Sequence, residues 1–203
     1  MTHAVTEGSV MLPAAEAEQG AGVYNEKLGM WIFLLSEVMF FTALIGSYII
    51  LRFSNPAAWP APGAVLNIPV TAVNTFLLIC SSVTMVKAFA NAQDGDQRML
   101  RIWLVLTVLI GASFVGIQAF EYNQLIGHGF LPSSGLYGST FYTMTGFHGF
   151  HVTMGVLCMI YVTAKAFRGR YTPDDYRGVE VIGLYWHFVD LVWIILFTIV
   201  YLI

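Results

Sequence analysis

The chain has 203 residues, of which 57% are hydrophobic and only 10% charged, with a formal net charge of −3. Soluble domains carry roughly 25% charged residues, so water is excluded as the solvent for most of this chain, and the weakly acidic balance excludes a nucleic-acid partner. Cys80 and Cys158 show no CxxC spacing, which favours inert packing over a disulfide or metal site.

In chain order, residues 1–26 come first. They are small and polar, with Glu7, Glu16, Glu18 and Glu26 and no apolar core, which predicts a loosely ordered cytoplasmic tail rather than a signal peptide. Five apolar runs follow, at about 28–51, 67–88, 100–122, 139–165 and 181–203. Each exceeds the roughly 18 residues that mark a membrane span and is long enough to cross a core of roughly 30 Å. None alternates with the period of two that a barrel strand needs. The predicted fold class is therefore an all-α membrane protein, with five transmembrane helices in one domain over 27–203. The connection at 54–63, "SNPAAWPAPG", reads as a stiff loop, and "AQDGDQ" and "RYTPDDYRG" read as turns.

Orientation follows from the basic residues. With the N-terminus inside, Lys27, Lys87, Arg98, Arg101, Lys165, Arg168, Arg170 and Arg177 all fall at inner ends, and Arg52 alone falls outside. The positive-inside rule then predicts the N-terminus inside and the C-terminus outside.

Polar residues within spans cost a few kcal/mol each near the bilayer centre unless paired. Glu37, Glu121, His148, His151, His187 and Asp190 are the ionisable ones away from the basic ends. Counting about 1.5 Å of rise per residue from the inner edge puts Glu37 and Asp190 near 15 Å, His187 near 10 Å, His151 near 20 Å and His148 near 25 Å. Glu121 falls near the outer boundary and reads as interfacial. Haem ligation needs two histidines at matching height on two helices, and His151 and His187 differ by roughly 10 Å on this count. No paired Glu-x-x-His pattern of a di-iron bundle is present either. His148 and His151, three residues apart and hence on one helix face, therefore read as interhelical hydrogen-bonding groups, with Gly146, Gly149, Thr153 and Gly155 allowing close approach. Glu37, in "WIFLLSEVMFF", has no lysine or arginine at its depth. It reads either as a protonated acid bonded to Ser36, Asn74 or Thr71, or as a proton station or partner contact. Trp186, Asp190 and Trp193 recur at spacings of four and three and share one stripe of the last helix, with His187 on the adjacent face.

"SEVMFF" in the first span, "GIQAFEYNQL" at the end of the third, "TGFHGFHVTMG" in the fourth and "YWHFVDLVWIILFTIVYLI" in the fifth together resemble subunit III of the haem–copper terminal oxidases. The likeness runs from about Lys27 to Ile203 and fits the five-helix bacterial form, which lacks the first two helices of the seven-helix form. The resemblance implies a non-redox subunit of a proton-pumping cytochrome c oxidase of aerobic respiration, which reduces oxygen to water. Such a subunit packs on subunit I, its main contact, and sits beside subunit II and other subunits in the bacterial cytoplasmic membrane. It supports assembly and durable turnover. It implies no cofactor in this chain, haem and copper in subunits I and II, and bound phospholipid. Glu37 matches the family's buried carboxylate. His148 and His151 match its paired histidines, and His187 and Asp190 its "WHFVD". Asn74 joins these residues as an interhelical hydrogen-bonding candidate. The long form holds lipid between its first two helices and the rest, so lipid-site residues are not carried over.

Other readings are a ubiquinol oxidase subunit III, an accessory subunit of a nitric oxide reductase, and an independent transporter. The last more often shows broken helices and an internal repeat, neither of which is present in the sequence.

Overall fold

A computed structural model describes residues 24–60 and 63–202. Five long helices make up nearly all of it: α1 Asn25–Ser54, α2 Ile68–Asp94, α3 Gln97–Gly127, α4 Leu136–Phe167 and α5 Arg177–Phe197. α5 continues as a π-helical turn, Thr198–Leu202. All five are long and apolar enough to cross a membrane, and the chain is a multi-pass membrane protein. Most of the predicted tail, residues 1–23, lies outside the described residues.

Helix ends are set by caps and not by where apolarity stops. Asn67 accepts from the Val70 N–H, and Pro69 occupies the first turn of α2, where its missing N–H costs nothing. α2 stops at Gly95, whose φ of 78° is left-handed, a conformation glycine adopts without a side-chain penalty. A Cβ there would also come within 2.9 Å of Pro173. Asp96 immediately caps α3 by accepting from the Arg98 and Met99 N–H groups. Only two residues therefore separate α2 from α3, which forces them into an antiparallel pair.

α5 is the central element. It touches α1, α2 and α4, while α3 closes the other side against α2 and α4. Trp186 and Trp193 of α5 are fully buried, together with Phe114 of α3, Met85 of α2 and Phe141 and Met144 of α4. Close helix approach is built around Trp186. A Cβ on Gly111 would sit 2.6 Å from its ring, and one on Gly155 would sit 3.1 Å away. α1 is peripheral and buries only Leu34, Phe41 and Tyr48, a seven-residue repeat that makes one narrow stripe. Trp31, Ile32, Leu35, Met39, Ile50 and Phe53 of α1 are exposed, as suits a face turned to hydrocarbon.

Outside the spans, Tyr171 in the α4–α5 connection is buried, which pushes its phenol up to about 12. Its hydroxyl packs where a Cβ on Gly178 would intrude at 2.8 Å. At one end of the bundle Lys27 of α1 pairs with Glu180 of α5, and the Tyr24 hydroxyl donates to the same carboxylate at 2.7 Å.

Candidate functional site

The polar side chains inside the bundle fall into two seams. The first joins α1 to α4. His151 Nε2 lies 3.0 Å from Glu37 Oε2, with the two side chains 12% and 17% exposed. His151 Nδ1 lies 2.7 Å from the Phe147 carbonyl. A carbonyl can only accept, so Nδ1 carries a proton and donates it. The Nε2 atom is therefore the one turned to the Glu37 carboxylate, and the contact ties α4 to α1. Phe40, Phe41 and Phe150 pack their rings around the imidazole.

This pairing corrects the expected surroundings of Glu37. Ser36 donates to the Phe33 carbonyl, Asn74 to the Phe114 carbonyl and Thr71 to Glu121, so none of the three serves Glu37. Its partner is a histidine about 5 Å away in the height count. The reach of the two side chains closes that gap. A depth count that sought only lysine and arginine passed over it.

His148 is the second correction. It is fully buried, and neither ring nitrogen has a hydrogen-bond partner among the described residues. Instead the imidazole stacks on Trp193 with centroids 4.7 Å apart and meets the Phe114 and Phe41 rings edge-on. The two histidines share a helix face in sequence, yet only His151 brings its side chain to a polar group on another helix. His148 acts as an aromatic core residue.

The second seam joins α5 to α2. The Ser82 hydroxyl donates to Asp190 Oδ2 at 2.7 Å and lies 3.1 Å from His187 Nδ1. One serine therefore links the acid and the imidazole of the "WHFVD" segment. The Trp186 indole donates to Ser81 Oγ and the Trp193 indole to Thr75 Oγ1, both at 2.9 Å. The Trp186–Asp190–Trp193 stripe thus faces a ladder of small hydroxyls on α2. Ser81, Ser82 and Thr75 drew no attention in the sequence, although a hydroxyl at every turn of an apolar span was the available signal. Among the described residues Asp190 Oδ1 remains without a partner.

Asn74 Nδ2 reaches the Phe114 carbonyl of α3 at 3.4 Å, while its Oδ1 is buried and has no partner among the described residues. Glu121, expected to reach water at the outer boundary, is instead buried against a neighbouring helix. It is 8% exposed and accepts from Thr71 Oγ1 at 3.0 Å. α3 continues to Gly127, so Glu121 stands a turn and a half inside the helix end, against α2.

Donor chemistry does not fit a haem or metal here. Both His151 nitrogens are engaged, and His148 is walled in by rings. Among the described residues no group of three or more His, Cys, Asp or Glu side chains is placed to hold a metal ion. The arrangement can hold helices together through the Glu37–His151 contact and the Ser82-centred seam.

The family model described as cytochrome c oxidase subunit III matches residues 16–203. A probable cytochrome c oxidase subunit 3 of Mycobacterium leprae is 42% identical, with 87% of each chain covered. The cytochrome c oxidase subunit 3 of Corynebacterium diphtheriae is 39% identical over 87% of each chain. The cytochrome bo(3) ubiquinol oxidase subunit 3 of Pseudomonas aeruginosa is 34% identical over 88% of this chain and 85% of that one. With the family's motifs now placed on paired helices, the chain belongs to the cytochrome c oxidase subunit III family.

Proposed function

We propose that this chain is the non-redox subunit III of a proton-pumping cytochrome c oxidase in a bacterial cytoplasmic membrane. It packs mainly on subunit I, beside subunit II, and supports assembly and durable turnover. Haem and copper sit in those partners, where they supply the electron transfer and oxygen chemistry. The observation that carries the reading is how the family's residues are used in this chain. Glu37, His148, His151, His187 and Asp190 are spent on holding α1, α4, α5 and α2 together, which is a scaffold's use of polar groups and not a redox centre's. The basic residues support an orientation with the N-terminus inside and the C-terminus outside.

The Glu37–His151 pair is the one group with a further role in this scheme. It lies between α1 and α4, beside the exposed apolar face of α1, where an intramembrane acid serves as a partner contact or a proton station at the subunit boundary. A ubiquinol oxidase is the second reading, favoured by the Pseudomonas aeruginosa relative. The electron donor is selected outside this chain, so the distinction is made on the complex. Affinity purification through a tag on this chain should bring down a haem-containing partner that consumes oxygen with reduced cytochrome c. Oxygen uptake with quinol alone would select the second reading. Recovery of the chain without any haem protein would contradict both.

A further inference from the structure

Two adjoining apolar grooves run along α3, and none of their walls belongs to α1, α2 or α5. The first, of 690 Å³, follows α3 from Gln97 to Leu109, past Ile102 and Leu106. The second, of 300 Å³, lies in the seam with α4, between Val108, Ile160, Thr163 and Ala164. Val105, Leu109 and Phe167 line both, forming a shared wall. The eleven helical steps from Arg98 to Leu109 cover about 16 Å, close to the depth of one leaflet of a core roughly 30 Å thick.

Arg98 and Arg101 line the first groove at its polar end. Three residues apart, they are neighbours on the helix surface. Arg101 is held in place: its Nε donates to the Ala166 carbonyl at 3.1 Å, and its guanidinium lies 5.7 Å from the Phe167 ring centre. Among the described residues neither arginine forms an ion pair with a carboxylate. Asp96, the nearest acid in sequence, spends its side chain on the backbone N–H groups of Arg98 and Met99.

A pair of guanidinium groups presents forked donors suited to a phosphate. The groove beneath them divides into two apolar channels on either side of one wall. A free phosphate would leave both channels unused, and a single fatty acid would leave one. We propose that this forked groove is a binding site for an anionic phospholipid of the phosphatidylglycerol kind. Its phosphate lies between Arg98 and Arg101, and one acyl chain lies in each channel. With the N-terminus inside, the site opens to the inner leaflet.

The test uses the intact membrane complex supplied with phosphatidylglycerol or phosphatidylcholine, each carrying a photoactivatable diazirine in one acyl chain. Labelled peptides are then mapped by mass spectrometry. Labelling over residues 102–109 and 160–167 should be about thirtyfold stronger with phosphatidylglycerol, the order set by two cations at a membrane surface. Arg98→Gln with Arg101→Gln should bring it down to the phosphatidylcholine level. Leu109→Trp, which fills the shared wall and keeps both arginines, should lower labelling by either lipid. The amount of this chain in each purified complex separates loss of lipid from loss of assembly. Equal labelling by the two lipids, undiminished labelling in the arginine variant, or displacement by inorganic phosphate alone would overturn the proposal. So would another protein subunit cross-linked over residues 102–109.

Discussion

His148 and His151 show how much a three-residue spacing leaves undecided. It places two side chains on one helix face, but the neighbours across that face set their chemistry. His151 meets the Glu37 carboxylate at 3.0 Å, whereas His148 lies against the Trp193 ring at 4.7 Å. Their replacements should differ accordingly. His151→Gln and Glu37→Gln should each cost about 0.6 to 2 kcal/mol of helix association, the range for interhelical bonds in membranes. The double variant should be little worse than the poorer single one, because both remove the same bond. His148→Phe preserves the stacked ring and should cost less than about 1.5 kcal/mol. His148→Gln puts an unpaired amide in a ring-lined site and should cost about 1 to 3 kcal/mol. Retention of the subunit during graded detergent unfolding gives these differences. If Gln proves as good as Phe at His148, a hydrogen bond to that residue exists after all, contrary to the structure.

At the scale of the element, α5 holds the bundle together through Trp186, which fits only because Gly111 and Gly155 carry no Cβ. Gly111→Ala should therefore destabilise by about 1 to 3 kcal/mol through overpacking. Gly146→Ala, where nothing lies within 4 Å of the added Cβ, should be nearly silent. Thermal unfolding of the two variants side by side checks this, and equal midpoints would remove Gly111 from the packing argument. On the same helix, Asp190→Leu should lower the yield of assembled subunit, because it strips Ser82 of its acceptor. Asp190→Asn retains an oxygen for that bond and should assemble. The five helices were legible in the sequence because each apolar run exceeds what a soluble core helix needs. Their ends were not, since lipid composition sets apolarity while Asn67, Gly95 and Asp96 set the caps. The burial of Glu121 was not legible either, because it depends on Thr71 lying opposite on α2. The Trp186–Asp190–Trp193 stripe was legible as a stripe. Its partners on α2 were not, because a hydroxyl's target depends on which helix lies opposite.

At the scale of the whole molecule, the sequence motifs were enough to identify the family, and helix packing shows what they are used for. Orientation rests on eight basic residues against Arg52 alone. A periplasm-active reporter fused near the C-terminal end of α5 should give signal, and one fused within 168–178 should stay dark. The reverse pattern would invert the bundle and move the proposed lipid site to the outer leaflet. The most direct measurement concerns whether this chain holds any redox centre. The complex should be purified with this chain intact, with His148→Gln plus His151→Gln, and with the chain dissociated by detergent, and haem and copper counted per subunit I in each. All three preparations should have the same haem spectrum and metal content and the same initial oxygen uptake. Activity of the dissociated complex should fade over sustained turnover. A haem band that is lost with the histidines while the subunit stays bound, or that leaves with the chain, would contradict a scaffolding role.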